Sequence, residues 1–130
     1  MSSPELTLRQ FGEEAGFDNL SFDARGQALL QSESGRQTGV ERTHDRQVLV
    51  YMAQPVAYDA GAWLVRAWKR AHHSRMEDWA IQCALRESPD GQRRLVALVR
   101  LPEDEFTPLR LRQALDTLAR WHDAVRDDAY

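Results

Sequence analysis

The chain has a single cysteine, Cys83, so it cannot form an internal disulfide framework, and a reducing compartment is expected. Lysine is almost missing: of 17 basic residues only Lys69 is lysine and the others are arginine. With abundant alanine, that bias points to a GC-rich bacterial genome. Positive charge is not in excess, and the formal net charge of -3 argues against general nucleic-acid binding. No apolar run approaches the roughly 20 residues needed to span a bilayer. The start, Met-Ser-Ser-Pro-Glu-Leu, lacks the basic-then-apolar order of a signal peptide. The expectation is a cytoplasmic protein that binds no nucleic acid and inserts into no membrane. Internal repeats and low-complexity segments are also missing.

What is present suits one domain spanning residues 1–130, with 42% hydrophobic and 28% charged residues. Charge is uneven. Residues 1–40 carry three basic and six acidic residues, residues 41–101 carry ten and seven, and residues 102–130 carry four and seven. The acidic ends coincide with the expected first and last helices, where solvated helix faces account for them.

A first helix is predicted over residues 4–16, started by Ser2 with Glu5 as a capping box or by Ser3-Pro4, and stopped by Gly16. Leu8, Phe11 and Ala15 share one face, with Phe17 and Leu20 folding back onto it. After a turn at Asp23-Ala24-Arg25-Gly26, three strands follow, over residues 27–33, 38–43 and 47–53. The third, with Val48 to Met52 in unbroken apolar sequence, reads as a strand covered on both faces and ended by Pro55. A second helix is predicted over residues 59–73 with Asp59 as cap, and Trp63, Leu64 and Trp68 lie beside small alanines.

The stretch from Asp78 to Trp121 is the most informative. Strands over residues 79–85 and 94–101 form a hairpin closed by residues 87–92 and run through Leu101-Pro102 into a helix over residues 106–127, with Thr107 as cap and Pro108 next. Trp79, Ile81, Cys83 and Leu85 point one way. In the return strand Leu95, Ala97, Val99 and Leu101 oppose Val96, Leu98 and Arg100. Leu111, Ala114, Leu115, Leu118, Ala119, His122 and Val125 mark the buried stripe of the last helix. The order α-β-β-β-α-β-β-α predicts an α+β fold, a twisted antiparallel sheet packed against helices.

Nothing in this pattern looks catalytic. Cys83 lies mid-strand on an apolar face, where a free cysteine acts as a small hydrophobe rather than a nucleophile paired with His44, His72 or His122. His72 and His73 point about 100° apart on a helix and cannot readily share a metal. The basic cluster Arg66, Lys69, Arg70 and Arg75 reads as a helix face complementing the acidic helices. No metal and no cofactor are expected.

Taken in order, several motifs resemble a known family. They are Gly16-Phe17-Asp18-Asn19-Leu20-Ser21-Phe22-Asp23 with Gly26, the strand Ala28 to Gln31, and Val48-Leu49-Val50-Tyr51. Trp63-Leu64, Pro89-Asp90-Gly91, Leu101-Pro102-Glu103-Asp104-Glu105-Phe106 and Trp121-His122 follow. Together they are similar to the class I chaperones of bacterial type III secretion, the group that includes the chaperone of the intimin receptor. The resemblance covers nearly the whole chain. It implies a small cytoplasmic homodimer, associated with virulence, without catalytic activity. Such a protein binds the N-terminal segment of a secreted effector, holds it extended around the dimer, and passes it to the secretion ATPase. Two departures stand out: the middle of this chain is basic, and its second helix is rich in Trp and Arg rather than leucine.

An extended client can add a strand to a sheet edge and place alternate side chains in apolar grooves. The candidate effector-binding residues are Phe22, Leu30, Val48, Val50, Val96 and Leu98. The candidate dimer-interface residues are Trp63, Leu64, Trp68 and Trp79, since large aromatics dominate interface energetics. The alternative reading is a small α+β ligand-binding domain or enzyme with a pocket between sheet and helix.

Overall fold

The computed structural model describes residues 3–17, 20–31, 35–56, 60–74, 79–87, 89 and 91–127. Its elements are α1 (Pro4–Ala15), β1 (Gln27–Gln31), β2 (Gln37–Arg42), β3 (Gln47–Pro55), α2 (Ala60–Ser74), β4 (Gln82–Glu87), β5 (Arg93–Pro102), a 3-10 turn (Glu103–Glu105) and α3 (Pro108–Asp127). The α+β order is the expected one.

Local chemistry accounts for the helix ends. The Ser3 hydroxyl accepts from the Leu6 N–H and Pro4 takes the first position of α1. The Ser2 of the alternative capping box lies outside the described residues. Gly16 closes α1 in the left-handed region (φ +84°), which a side chain would disfavour. The chain then turns outward, so Phe17 is exposed, contrary to expectation, while Leu20 does pack on the core. Ala15 is exposed as well; Thr7 and Gly12 complete the buried stripe with Leu8 and Phe11. Thr107 caps α3 by accepting from the Arg110 N–H at 3.1 Å. The expected Asp59 cap of α2 lies outside the described residues.

The strands form one antiparallel sheet in the order β1-β2-β3-β5-β4. The helices pack on one face. Val48, Val50 and Met52 of β3 and Leu95, Ala97, Val99 and Leu101 of β5 join Leu111, Ala114, Leu118 and Val125 of α3 in the core, with Leu8 and Phe11 of α1 and Ala67 and Ala71 of α2. Burial along β3 alternates, which corrects the expectation of a strand covered on both faces: Leu49 and Tyr51 are only half-buried. The apolar run is continuous because its second face has a different apolar surface to build. β3 also extends to Pro55, at the strand end where its missing N–H costs no central ladder bond. β4 begins at Gln82 rather than Trp79. Trp79 is drawn off the sheet toward α3, where the Arg110 guanidinium lies 4.2 Å from its ring centroid.

Long-range polar ties hold the layers in register. Thr7 donates its hydroxyl to the Phe106 carbonyl at 2.9 Å, buried between α1 and the start of α3. Arg42 at the end of β2 reaches Glu5 of α1 and, at 3.2 Å, Glu103 of the 3-10 turn. Arg36, just before β2, donates to Gln54 of β3 and to the Ala119 carbonyl and Asp123 of α3. Its guanidinium holds the Asp123 carboxyl below the usual carboxylate range.

Beside this clasp, His122 of α3 is buried, its Nε2 donating to the Met52 carbonyl at 2.9 Å. Burial pushes its pKa down to about 4, outweighing the Met52 hydrogen bond. The unfolded chain takes up this proton near pH 6.5 and the folded chain does not. The stability tied to the neutral ring is therefore complete above about pH 6.5 and is lost as pH falls toward 4, to an extent of about 3 kcal/mol. Urea unfolding of the wild type is expected to show this loss between pH 6.5 and 4.5, above the carboxylate range. The His122→Gln variant, whatever its absolute stability, is expected to be nearly flat there. Equal slopes for the two proteins would rule out His122 as the cause.

Candidate protein-binding face

The strand register sorts every sheet residue onto one of two faces. Ala28, Val40, Val50 and Val99 stand in one cross-strand row beneath the helices, and Leu30, Thr38, Met52, Ala97 and Cys83 in the next. The residues between them point the other way. There, Leu29, Gly39, Tyr51, Leu98 and Gln82 form one row. Ala53, Val96 and Ala84 form a second, and Glu41, Leu49 and Arg100 a third. None of these outer residues belongs to the helix-side core, and among the described residues no helix lies across them. The sheet therefore has a second, open apolar face.

Its centre is built by a small residue and a large one. Gly39 has no side chain, and the Tyr51 ring on the neighbouring strand occupies the space; a β-carbon on Gly39 would collide with the phenol. Burial raises the Tyr51 pKa, reinforced by the negative charge of Glu41 and opposed by Arg86. Leu29 stands 59% exposed beside this pair. At one end of the face Arg86 and Arg94 are directly opposite each other across β4 and β5, next to Pro55. The other end is mixed, with Glu41, Arg100 and, within range of Arg100, Asp45.

The expected binding residues separate across the sheet. Val96 and Leu98 lie on the open face, half-buried. Leu30, Val48 and Val50 face the helices and belong to the core, which removes them from any surface a client can touch in this fold. Phe22 packs on the core edge, with the Arg42 guanidinium 5.7 Å from its ring centroid. Leu29, Leu49 and Tyr51, which were not among the candidates, also lie on the open face. They alternate with the chosen residues, and the parity that separates the faces is set by pairing partners rather than by the strand itself.

The four expected interface residues gather on the helix side. Trp63 and Leu64 of α2 and Trp79 are half-buried against the core, and the Arg66 guanidinium lies 4.8 Å from the Trp63 centroid. Trp68 is 56% exposed and Val65 47%, so α2 presents its own apolar patch to solvent. Burial pushes the Cys83 thiol up to about 11, leaving it protonated and unreactive at neutral pH. The side chains of His72 and His73 lie outside the described residues. Two open clefts of about 440 and 550 Å³ are described: one beside the end of α1, and one beside Trp79, lined by β4, β5 and Arg110 of α3.

No protein-family model matches the sequence, and no curated protein matches it. Solved structures do. A chain of the HopA1–SchA chaperone–effector complex aligns with a TM-score of 0.70 at 15% identity, covering 93% of this chain and 91% of that one. The Yersinia pestis type III secretion chaperone SycH, solved with a stable fragment of YscM2, aligns at 0.66 and 12% identity over 95% and 97%. YbjN of E. coli, a candidate transcription regulator, aligns at 0.56 and 18% over 92% and 85%.

Gly39→Ala is expected to displace the Tyr51 ring and lower stability by about 1–3 kcal/mol, the range for overpacking. Added to Tyr51→Ala, which removes the obstacle, it is expected to cost well under the sum of the two single changes in denaturant titrations. Strict additivity would show that the two residues do not share this space. In its layers, strand order and extent, the chain has the fold of the type III secretion chaperones that its motifs resemble.

Proposed function

We propose that this protein is a cytoplasmic chaperone that binds the N-terminal segment of a type III secreted effector in extended form, keeps it competent for export, and presents it to the secretion ATPase. Its action is binding rather than catalysis. The observation that carries the reading is the open apolar face opposite the helices. A monomeric domain rarely leaves such a surface uncovered, and a client segment running along it or adding to a sheet edge would cover it. Two solved proteins of this fold hold protein partners, HopA1–SchA and SycH with YscM2. YbjN has the same fold under a different description, so the fold alone does not choose the function. The net charge of -3 weighs against a nucleic-acid partner for this chain.

A homodimer belongs to the same reading, formed through α2 with Trp68 and Val65 at its centre and Trp63, Leu64 and Trp79 around them. Exposed large aromatics on one helix suit an interface between copies. Sedimentation velocity is expected to give a dimer for the wild type and mostly monomer for Trp68→Glu, with the melting temperature nearly unchanged. A monomeric wild type at tens of micromolar would contradict the dimer.

The client reading is tested by capture from a type III-secreting host, followed by limited proteolysis. One dominant partner, protected only in its N-terminal segment, is the expected result. Leu29→Asp and Leu98→Asp on the open face are expected to abolish capture while the fold survives; Val50→Asp in the core is expected to unfold the protein. Capture of no protein, or of one bound through a folded domain, would overturn the proposal.

A further inference from the structure

Among the described strand residues of the open face, Tyr51 carries the one aromatic ring. A strand side chain ordinarily stands roughly perpendicular to its sheet. Tyr51 leans across β2 instead: its Oη, Cζ and Cε1 occupy the space that a β-carbon of Gly39 would take. In the same cross-strand row, Leu29 of β1 lies beyond Gly39, and Leu98 of β5 lies on the other side of Tyr51. Neighbouring strands are about 5 Å apart, so the leaning phenol has a leucine on each side. Leu29 is exposed, and Tyr51 and Leu98 are only half-buried, so the row keeps an accessible apolar surface. Charge narrows what can sit there. Glu41 and Arg86 both act on the Tyr51 hydroxyl, with opposite signs. A carboxylate brought onto the ring meets the like charge of Glu41, and a cation meets that of Arg86. Either one also loses water among leucines.

We infer that Tyr51, laid over Gly39 and flanked by Leu29 and Leu98, is the seat for one uncharged aromatic side chain of the client. An aromatic pair gains attraction beyond the area it buries, in offset-stacked or edge-to-face arrangement. A leucine in the same place fills the space between Leu29 and Leu98 without that gain. Gly39 is a positioning residue: it touches no client atom, and its missing β-carbon is what lets the ring lean. Tyr51 then acts as a specificity residue, choosing among apolar side chains that the leucines accept alike. This inference rests on the client reading above and adds to it the class of side chain the client must present.

The test uses the full chain and labelled peptides that share one alternating apolar sequence and differ at a single central position, Phe, Leu, Glu or Lys. Fluorescence anisotropy gives the affinity of each. The Phe peptide is expected to bind about fivefold more tightly than the Leu peptide, and the Glu and Lys peptides more weakly than either. Tyr51→Phe is expected to keep the Phe-over-Leu preference, because it keeps the ring. Tyr51→Leu is expected to lose the preference while still binding the Leu peptide. Gly39→Ala, which retains the tyrosine but displaces it, is expected to behave like Tyr51→Leu; urea unfolding checks that each variant is folded. Equal binding of the Phe and Leu peptides, or a preference that survives in Tyr51→Leu, would overturn the ring inference. If binding is still lost in Leu98→Asp, the open face remains the docking surface. Binding of no peptide would also overturn the ring inference, and the client reading then stands or falls by the capture experiment.

Discussion

The central strand carries the constraint on which the rest of the molecule depends. β3 is paired on both sides, with β2 and with β5, and its residues alternate between two apolar surfaces of different purpose. Val48, Val50 and Met52 enter the helix-side core; Leu49, Tyr51 and Ala53 build the open face. A slip of one residue in either pairing would exchange the two sets. The core would then receive a tyrosine hydroxyl, and the outer face three side chains that are now buried. Register is therefore a functional quantity here as well as a structural one, because it decides what the open face displays.

Polar contacts secure that register where apolar packing is indifferent to it. Valine and leucine tolerate small shifts, whereas Arg36 meets Gln54 on β3 and Asp123 on α3 in only one alignment, and Arg42 meets Glu5 and Glu103 in only one. Glu5 is exposed and Glu103 only half-buried, so each pair adds little stability alone. Their effect is to tie α1, β2 and the turn before α3 at a single corner. The buried Thr7–Phe106 bond strengthens the same corner from within.

Much of the fold was legible in the sequence because it is written in local chemistry. Ser3-Pro4, Gly16, Thr107-Pro108 and the glycine-bearing hairpin act on their immediate neighbours, and each element they bound lies within a few residues of its expected place. The binding face was only half legible. Of the candidate residues Val96 and Leu98 lie on the open face, whereas Leu30, Val48 and Val50 lie beneath the helices. An unbroken apolar strand does not reveal which parity faces inward; partners far along the chain decide it. The displacement of Trp79 from β4 has the same origin, since the arginine that draws it away lies 31 positions later, on another element. The role of Gly39 is likewise set by a residue on another strand, the Tyr51 ring lying across it.

The four tryptophans have a shared location that bears on how this protein can be watched. Trp63 and Trp68 are on α2, Trp121 is buried in α3, and Trp79 lies under an arginine of α3, so all four report from the helix layer. The open sheet face holds a tyrosine and no tryptophan. Indole emission therefore follows events among the helices rather than events on the far side of the sheet. If the proposed function holds, a change in indole emission reports on the helix layer and not on the open face, so the proposed dimer contact has a native label that the proposed docking surface lacks.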